Sequence, residues 1–266
     1  METARREIIE RFKRVVNAAG ALALDEAALL VAAYERPTEV DVDLELQRLD
    51  ELAGSITNPT LDGVCDVIFG ELGFAGNAAA YYEPANSHLD QVVQRRKGIP
   101  ITLAVVLIEV ARRAGVPLFG VGMPGHFLVG DRVDGQLFVD PFRSGTRLTP
   151  GECAHIFTTM QGSAAEFRPE FLLETPRSEI LMRIINNLRI IYQQAGQTKQ
   201  LVRVLELMIL LPGAPPAERK QLAAALERDG RIIEAVDQLE TLADLVFGPE
   251  AEQLRSAAIR LLARLN

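Results

Sequence analysis

The chain has 266 residues, 48% of them hydrophobic and 24% charged, with a net charge of −8. That is enough apolar material for one large domain or two of modest size, and the acidic balance argues against nucleic acid or an anionic membrane as partner. No apolar run reaches the roughly 18 residues of a membrane span, and the opening METARREIIERFKR is too charged for a secretory signal, so the expected location is cytoplasmic.

Residues 1–57 read as a helical region. REIIERFKRVV has helical apolar spacing, and LDEAALLVAAYERP offers Asp25 as an N-cap and Pro37 as a stop. DVDLELQRLDELAGSI is amphipathic with an acidic first turn. A loop at Asn58-Pro59 leads to LDGVCDVIFGELGF, also helical, and then to AGNAAAYYEPANS, rich in turn formers. The basic turn Arg95-Arg96-Lys97 is read as solvated rather than as a phosphate site.

The texture then changes. Ile101 to Ala111 is apolar almost all round, with Glu109 the main exception, which predicts a helix buried inside its domain. PLFGVGMP, GHFLVGDRV and GQLFVDPF follow, short β-branched and aromatic runs separated by Gly, Pro and Asp-Gly. They predict strands joined as hairpins, and the stretch 58–177 is expected to be an α+β core. Residues 178–266 are helical again and repetitive. Gly196 and Gly230 lie 34 positions apart, and the same shift pairs Leu188 with Leu222, Tyr192 with Leu226 and Leu205 with Leu239. A 34-residue helix–turn–helix period is the tetratricopeptide length.

Three elements form a candidate site: the helix opening at Pro100, His126 in GHFLV on a strand, and Asp140 in VDPF at the end of the next strand. Helix, then His, then Asp is the chain order of a papain-like thiol site. There a cysteine at a helix N-terminus attacks a carbonyl, histidine accepts its proton, and an Asp or Asn fixes the tautomer. Register tests the pair. A three-residue loop Val133–Gly135, with Gly135 left-handed, would set Leu128 opposite Asp140 and put His126 and Asp140 on one face. A two-residue Asp134-Gly135 turn would put them on opposite faces.

Asn86-Ser87, Arg96, GIPITL, ARRAGVP, GVGMPGHFLV and VDPF together make the chain resemble a bacterial family of transglutaminase-like proteins with C-terminal tetratricopeptide repeats. Some members of that family are assigned as regulators of virulence or invasion genes. The resemblance implies a papain-like core, catalytic positions at His126 and Asp140, and binding positions at Asn86, Arg96, Gly98, Gly125 and Phe142. Active transglutaminase-like enzymes carry a cysteine two residues after a glycine and about fifteen before the glycine of a GIP-like turn. Counted from Gly98 and Gly115, that seat is Pro100. Proline removes the thiol and also a backbone N–H that helps hold the oxyanion; losing one such donor alone costs on the order of a hundredfold in rate. At the first helical position it is otherwise comfortable.

The expectation is therefore a protein-binding or regulatory module with a vestigial His–Asp pair. Its partner would be a protein, engaged through the C-terminal helices or the cleft. The alternative is an unconventional hydrolase or transamidase using Thr102, or water activated by His126. A third possibility makes the flanking helices mere cover for the core. Cys65 and Cys153 lie outside the matching motifs and are read as reduced thiols. His88 and His155 have no metal-ligand spacing with His126, and no glycine-rich phosphate motif is present. No cofactor is expected.

Overall fold

A computed structural model describes residues 2–162 and 164–265. The chain divides after Ile184 into two units.

The first unit is α+β. Its N-terminal helices are α1 (Glu2–Val16), α2 (Leu24–Glu35) and α3 (Val42–Gly54). Asp41 caps α3 by accepting from the Asp43 and Leu44 amides. Asp25 does not cap α2; the helix begins at Leu24, and Asp25 in its first turn is buried against Arg113, 2.7 Å away. The carboxylate combines that ion pair with a hydrogen bond from the first-turn amide of Glu26, which it accepts at 2.9 Å. The Arg113 and Arg112 guanidiniums and the Glu26 amide hold the Asp25 carboxyl below its usual range in spite of burial. Eleven of the twelve residues of α2 are buried, so this helix runs through the interior, as its LALDEAALLVAAY composition allows.

α4 (Leu61–Cys65), capped by Thr60, continues into a π turn at Asp66–Glu71. β1 (Ala75–Gly76) pairs in parallel with β2 (Lys97–Gly98), and α5 (Leu89–Arg95) lies between them in sequence. Then comes α6 (Pro100–Arg113), buried from Pro100 to Ala111 as its composition predicts. Glu109, the polar exception, has no exposed surface and is held by Arg112 and Arg177, each at 2.7 Å. Burial and the neighbouring Asp25 raise its pKa against the pull of those arginines.

β3 (Leu118–Val121), β4 (Leu128–Asp131), β5 (Phe138–Asp140) and β6 (Thr146–Leu148) form an antiparallel meander in that order. α6 packs on β3 and β4. Val121, Leu128, Phe138 and Leu148 meet Cys153, Ile156 and Phe157 of α7 (Pro150–Gln161), with Phe167 and Phe171 packed alongside. A Thr149–Glu152 capping box starts α7. Val129 pairs with Val139 and Gly130 with Phe138, which sets Leu128 opposite Asp140. The register is the one the His–Asp pair requires, but the loop differs from the expected one. Ladder pairing stops at Asp131–Leu137, leaving five residues, and Gly135 is not left-handed. An Asp134–Leu137 turn with an Asp134 Oδ1···Gln136 amide bond closes it instead.

α8 (Arg177–Gln194) leads into the second unit, which continues with α9 (Thr198–Met208), α10 (Ala217–Arg228), α11 (Ile232–Leu245) and α12 (Pro249–Leu262). The 34-residue period recurs in the backbone. Gly196 and Gly230 are both left-handed, with φ of 65° and 79°. The amides of Gln197 and Arg231 reach the carbonyls of Tyr192 and Leu226, each at 2.9 Å, an arrangement that closes a helix end on a left-handed residue. Leu188 and Leu222, Tyr192 and Leu226, and Leu205 and Leu239 are all buried. Among the described residues no helix is long and apolar enough to cross a membrane.

Candidate functional site

His126 lies on the loop Gly122–Phe127 between β3 and β4, two residues short of the strand predicted to carry it. Pro124 and a left-handed Gly125 (φ 81°) make a turn there, so the alternation of GHFLV begins to act as strand only at Leu128. The loop is tied down from outside. The Gly122 amide donates to Thr175 Oγ1 at 2.7 Å, and Arg183 NH1 donates to the Gly122 carbonyl at 3.1 Å. Gln161 Nε2 donates to the Pro124 carbonyl at 3.3 Å, and a Cβ on Gly125 would collide with that amide.

The imidazole Nε2 stands 2.8 Å from Asp140 Oδ2. The Asp140 side chain is fully buried and that of His126 is 8% exposed. Asp140 ends β5, and its Oδ1 accepts from the amides of Phe142 (3.0 Å) and Arg143 (3.2 Å). A carboxylate only accepts, so the Asp140 contact calls for a proton on Nε2 and leaves Nδ1 as the other ring nitrogen. Among the described residues Nδ1 has no partner. The geometry orients the imidazole through Nε2 and leaves its second nitrogen uncommitted.

The head of α6 is arranged differently. Pro100 is its buried first residue. Thr102 Oγ1 donates to the Asn86 carbonyl at 2.7 Å and accepts from the Ile99 amide at 3.2 Å. The residue has no exposed surface. Its hydroxyl caps the helix and fastens it to the preceding loop, which withdraws it from the nucleophilic role.

Of the residues that the resemblance marks for binding, Asn86 is fully buried. Its Nδ2 donates to the carbonyls of Ala80 (2.6 Å) and Tyr81 (3.2 Å), and its Oδ1 accepts from Asn77 Nδ2 (3.0 Å). Arg96 is left-handed (φ 56°) and donates to the Leu72 carbonyl at 2.9 Å, a clip beside the β1–β2 bridge. Gly98 has no room for a side chain, because a Cβ would press on Thr102, Val92 and Leu103. Phe142 lays its ring over Gly76 and meets Tyr81 edge-on at 5.9 Å, with Tyr82 a further 5.2 Å away.

These contacts connect the parts. Gly98, two residues before Pro100, pairs with Gly76; Gly76 carries the Phe142 ring; the Phe142 amide holds Asp140. Tyr81, Asn77, Gln161, Thr175 and Arg183 were not marked by sequence reasoning. Asn77 acts within its own loop, on Asn86 nine residues on, whereas the other four act on residues far along the chain, where no spacing announces them.

Cys65 and Cys153 are buried, which pushes their thiols up to about 12 and about 11; thiols so raised are protonated and inert at neutral pH. His88 is buried against Glu35 at 3.2 Å, and His155 is exposed on α7. Among the described residues no group of three or more His, Cys, Asp or Glu could hold a metal ion.

Residues 24–186 match the transglutaminase-like superfamily model. A UPF0162 protein of Xylella fastidiosa is 37% identical over 219 residues, covering 77% of this chain and 78% of its own length. A UPF0162 protein of Pseudomonas aeruginosa is 35% identical over 199 residues, covering 70% and 72%. F-box only protein 21 of Mus musculus is 36% identical over 110 residues, which is 38% of this chain and 18% of that protein.

Proposed function

We propose, from the premise that this chain belongs to the transglutaminase-like superfamily, that it is a non-catalytic binding or regulatory module. The observation that carries this reading is Pro100. The first residue of the buried helix bears neither a thiol nor an amide hydrogen, and the nearby hydroxyl of Thr102 is committed to Asn86. The fold tolerates the proline because the first amide of a helix has no intrahelical acceptor. The chemistry does not, since the step that forms a covalent acyl intermediate needs an attacking atom. The 34-residue helix pairs of the second unit are read as tetratricopeptide-like, offering a partner protein one helical face. A regulatory role, as in the bacterial family that the sequence resembles, is the form of binding function this reading favours.

The free Nδ1 of His126 supports a second reading, in which the imidazole activates water for hydrolysis of an amide or ester. Turnover separates the two. Purified protein incubated with activated ester and glutaminyl-amide probes, with and without a primary amine acceptor, is expected to release product at the background rate. Sustained turnover that disappears in His126→Ala would overturn the non-catalytic reading.

A further inference from the structure

The second unit contains a groove of about 390 Å³ between α9 and α10. Leu201 and Leu205, one turn apart on α9, form its floor. Along α10, Ala217, Lys220, Ala224 and Arg228 recur every three or four residues and so line it as one helical face. The two alanines are exposed and leave the space open; larger side chains there would fill it.

Charge gives the groove its sign. Lys220 and Arg228 are its charged lining residues, both exposed, and among the described residues neither has a carboxylate partner. Elsewhere in this unit Arg231 pairs with Glu206 and Glu234, Arg255 with Asp244, and Arg264 with Glu227. Glu218, on the same helix, accepts from Gln221. Arg228 uses Nε on the Ala224 carbonyl at 3.1 Å, leaving its terminal nitrogens free. Eight residues of helix separate the two cations by about 12 Å.

We infer that this groove docks an acidic amphipathic segment of a partner protein. One apolar side chain of that segment sits over Leu201 and Leu205, in the space beside Ala217 and Ala224, and carboxylates on either side of it meet Lys220 and Arg228. This is the helix-in-groove mode, in which an apolar anchor supplies affinity and charge supplies orientation. The inference rests on the reading of the second unit as a protein-docking surface and names the chemistry of what docks.

The test is to pan a phage library of random 16-residue peptides on the full chain and to measure the enriched peptides by fluorescence anisotropy. Enriched sequences are expected to be net negative with a Leu, Met or Phe between acidic residues. Binding should weaken at least tenfold in Lys220→Glu/Arg228→Glu and in Ala224→Leu. It should also weaken with rising salt and be unchanged in His126→Ala. Lys220→Ala/Arg228→Ala, with circular dichroism and melting compared to the parent, controls for folding. Enriched peptides that ignore the groove variants but lose binding in His126→Ala would overturn the groove and leave the docking reading standing. Enrichment of neutral or basic peptides would overturn the stated chemistry. Failure to enrich any peptide, or charge-dependent binding to phosphatidylserine vesicles or single-stranded RNA in its place, would overturn both.

Discussion

The Asp140 end of the sheet and the head of α6 both bury polar groups, and they dispose of them in opposite ways. At the sheet end the carboxylate takes two backbone amides and one imidazole nitrogen, and the other nitrogen is left over. At the helix head the Thr102 hydroxyl is bonded on both sides and Pro100 has no hydrogen to give. One end of the site therefore holds an imidazole nitrogen with no partner among the described residues, and the other holds a hydroxyl bonded on both sides. A polar group with an unused valence is available to a ligand, whereas one that is saturated internally only holds the fold together.

The sharpest way to break that contrast is to put sulfur back. The thiol introduced by Pro100→Cys is expected to react with iodoacetamide at pH 7 on the order of a hundredfold faster than Cys65 or Cys153, whose thiols lie at about 12 and about 11. If position 100 faces His126, the helix N-terminus and the imidazole together ionise the thiol early, and its pH profile should move upward in Pro100→Cys/His126→Ala. The native thiols, by contrast, should react only as the pH approaches 11. An introduced thiol no faster than one in the unfolded chain would mean that position 100 does not face the His–Asp pair, and the contrast would fail.

Stability comes next. Asp140→Ala leaves the Phe142 and Arg143 amides and the imidazole without their acceptor, and should lower the unfolding free energy by about 3 kcal/mol in urea titrations. Thr102→Val, nearly the same shape, strands one carbonyl and one amide. It should cost less, about 1–2 kcal/mol, and should leave peptide binding by the second unit unchanged. Equal losses would blur the distinction; a Thr102→Val that altered turnover or cleft binding would restore a chemical role to the helix head.

Much of the fold is legible residue by residue. All-round apolarity announces the burial of α6, and the same property announces that of α2, although less plainly because acidic residues flank it. The Thr149–Glu152 box that begins α7 is visible as a T-x-x-E signature. Register is not legible from alternation, since β4 and β5 are buried on both faces and a slip by one residue would expose neither set of side chains. The loop that delivers the register does not follow either, because Asp134 builds its own turn and spares Gly135 the left-handed conformation. Nor does the placement of His126, whose neighbours Pro124 and Gly125 interrupt the strand pattern.

By itself the amino-acid sequence determined the family, the absence of a thiol at position 100, the buried helix and the 34-residue period. These are identities and periodicities, which a chain displays without folding. Only the tertiary structure decided that Nε2 and not Nδ1 faces Asp140, that Thr102 gives its hydroxyl to a carbonyl sixteen residues back, and that two alanines and two cations without a carboxylate partner among the described residues share one groove. Hydrogen bonds and open space belong to pairs and groups of residues distant along the chain, and they acquire direction only when packing brings those residues together.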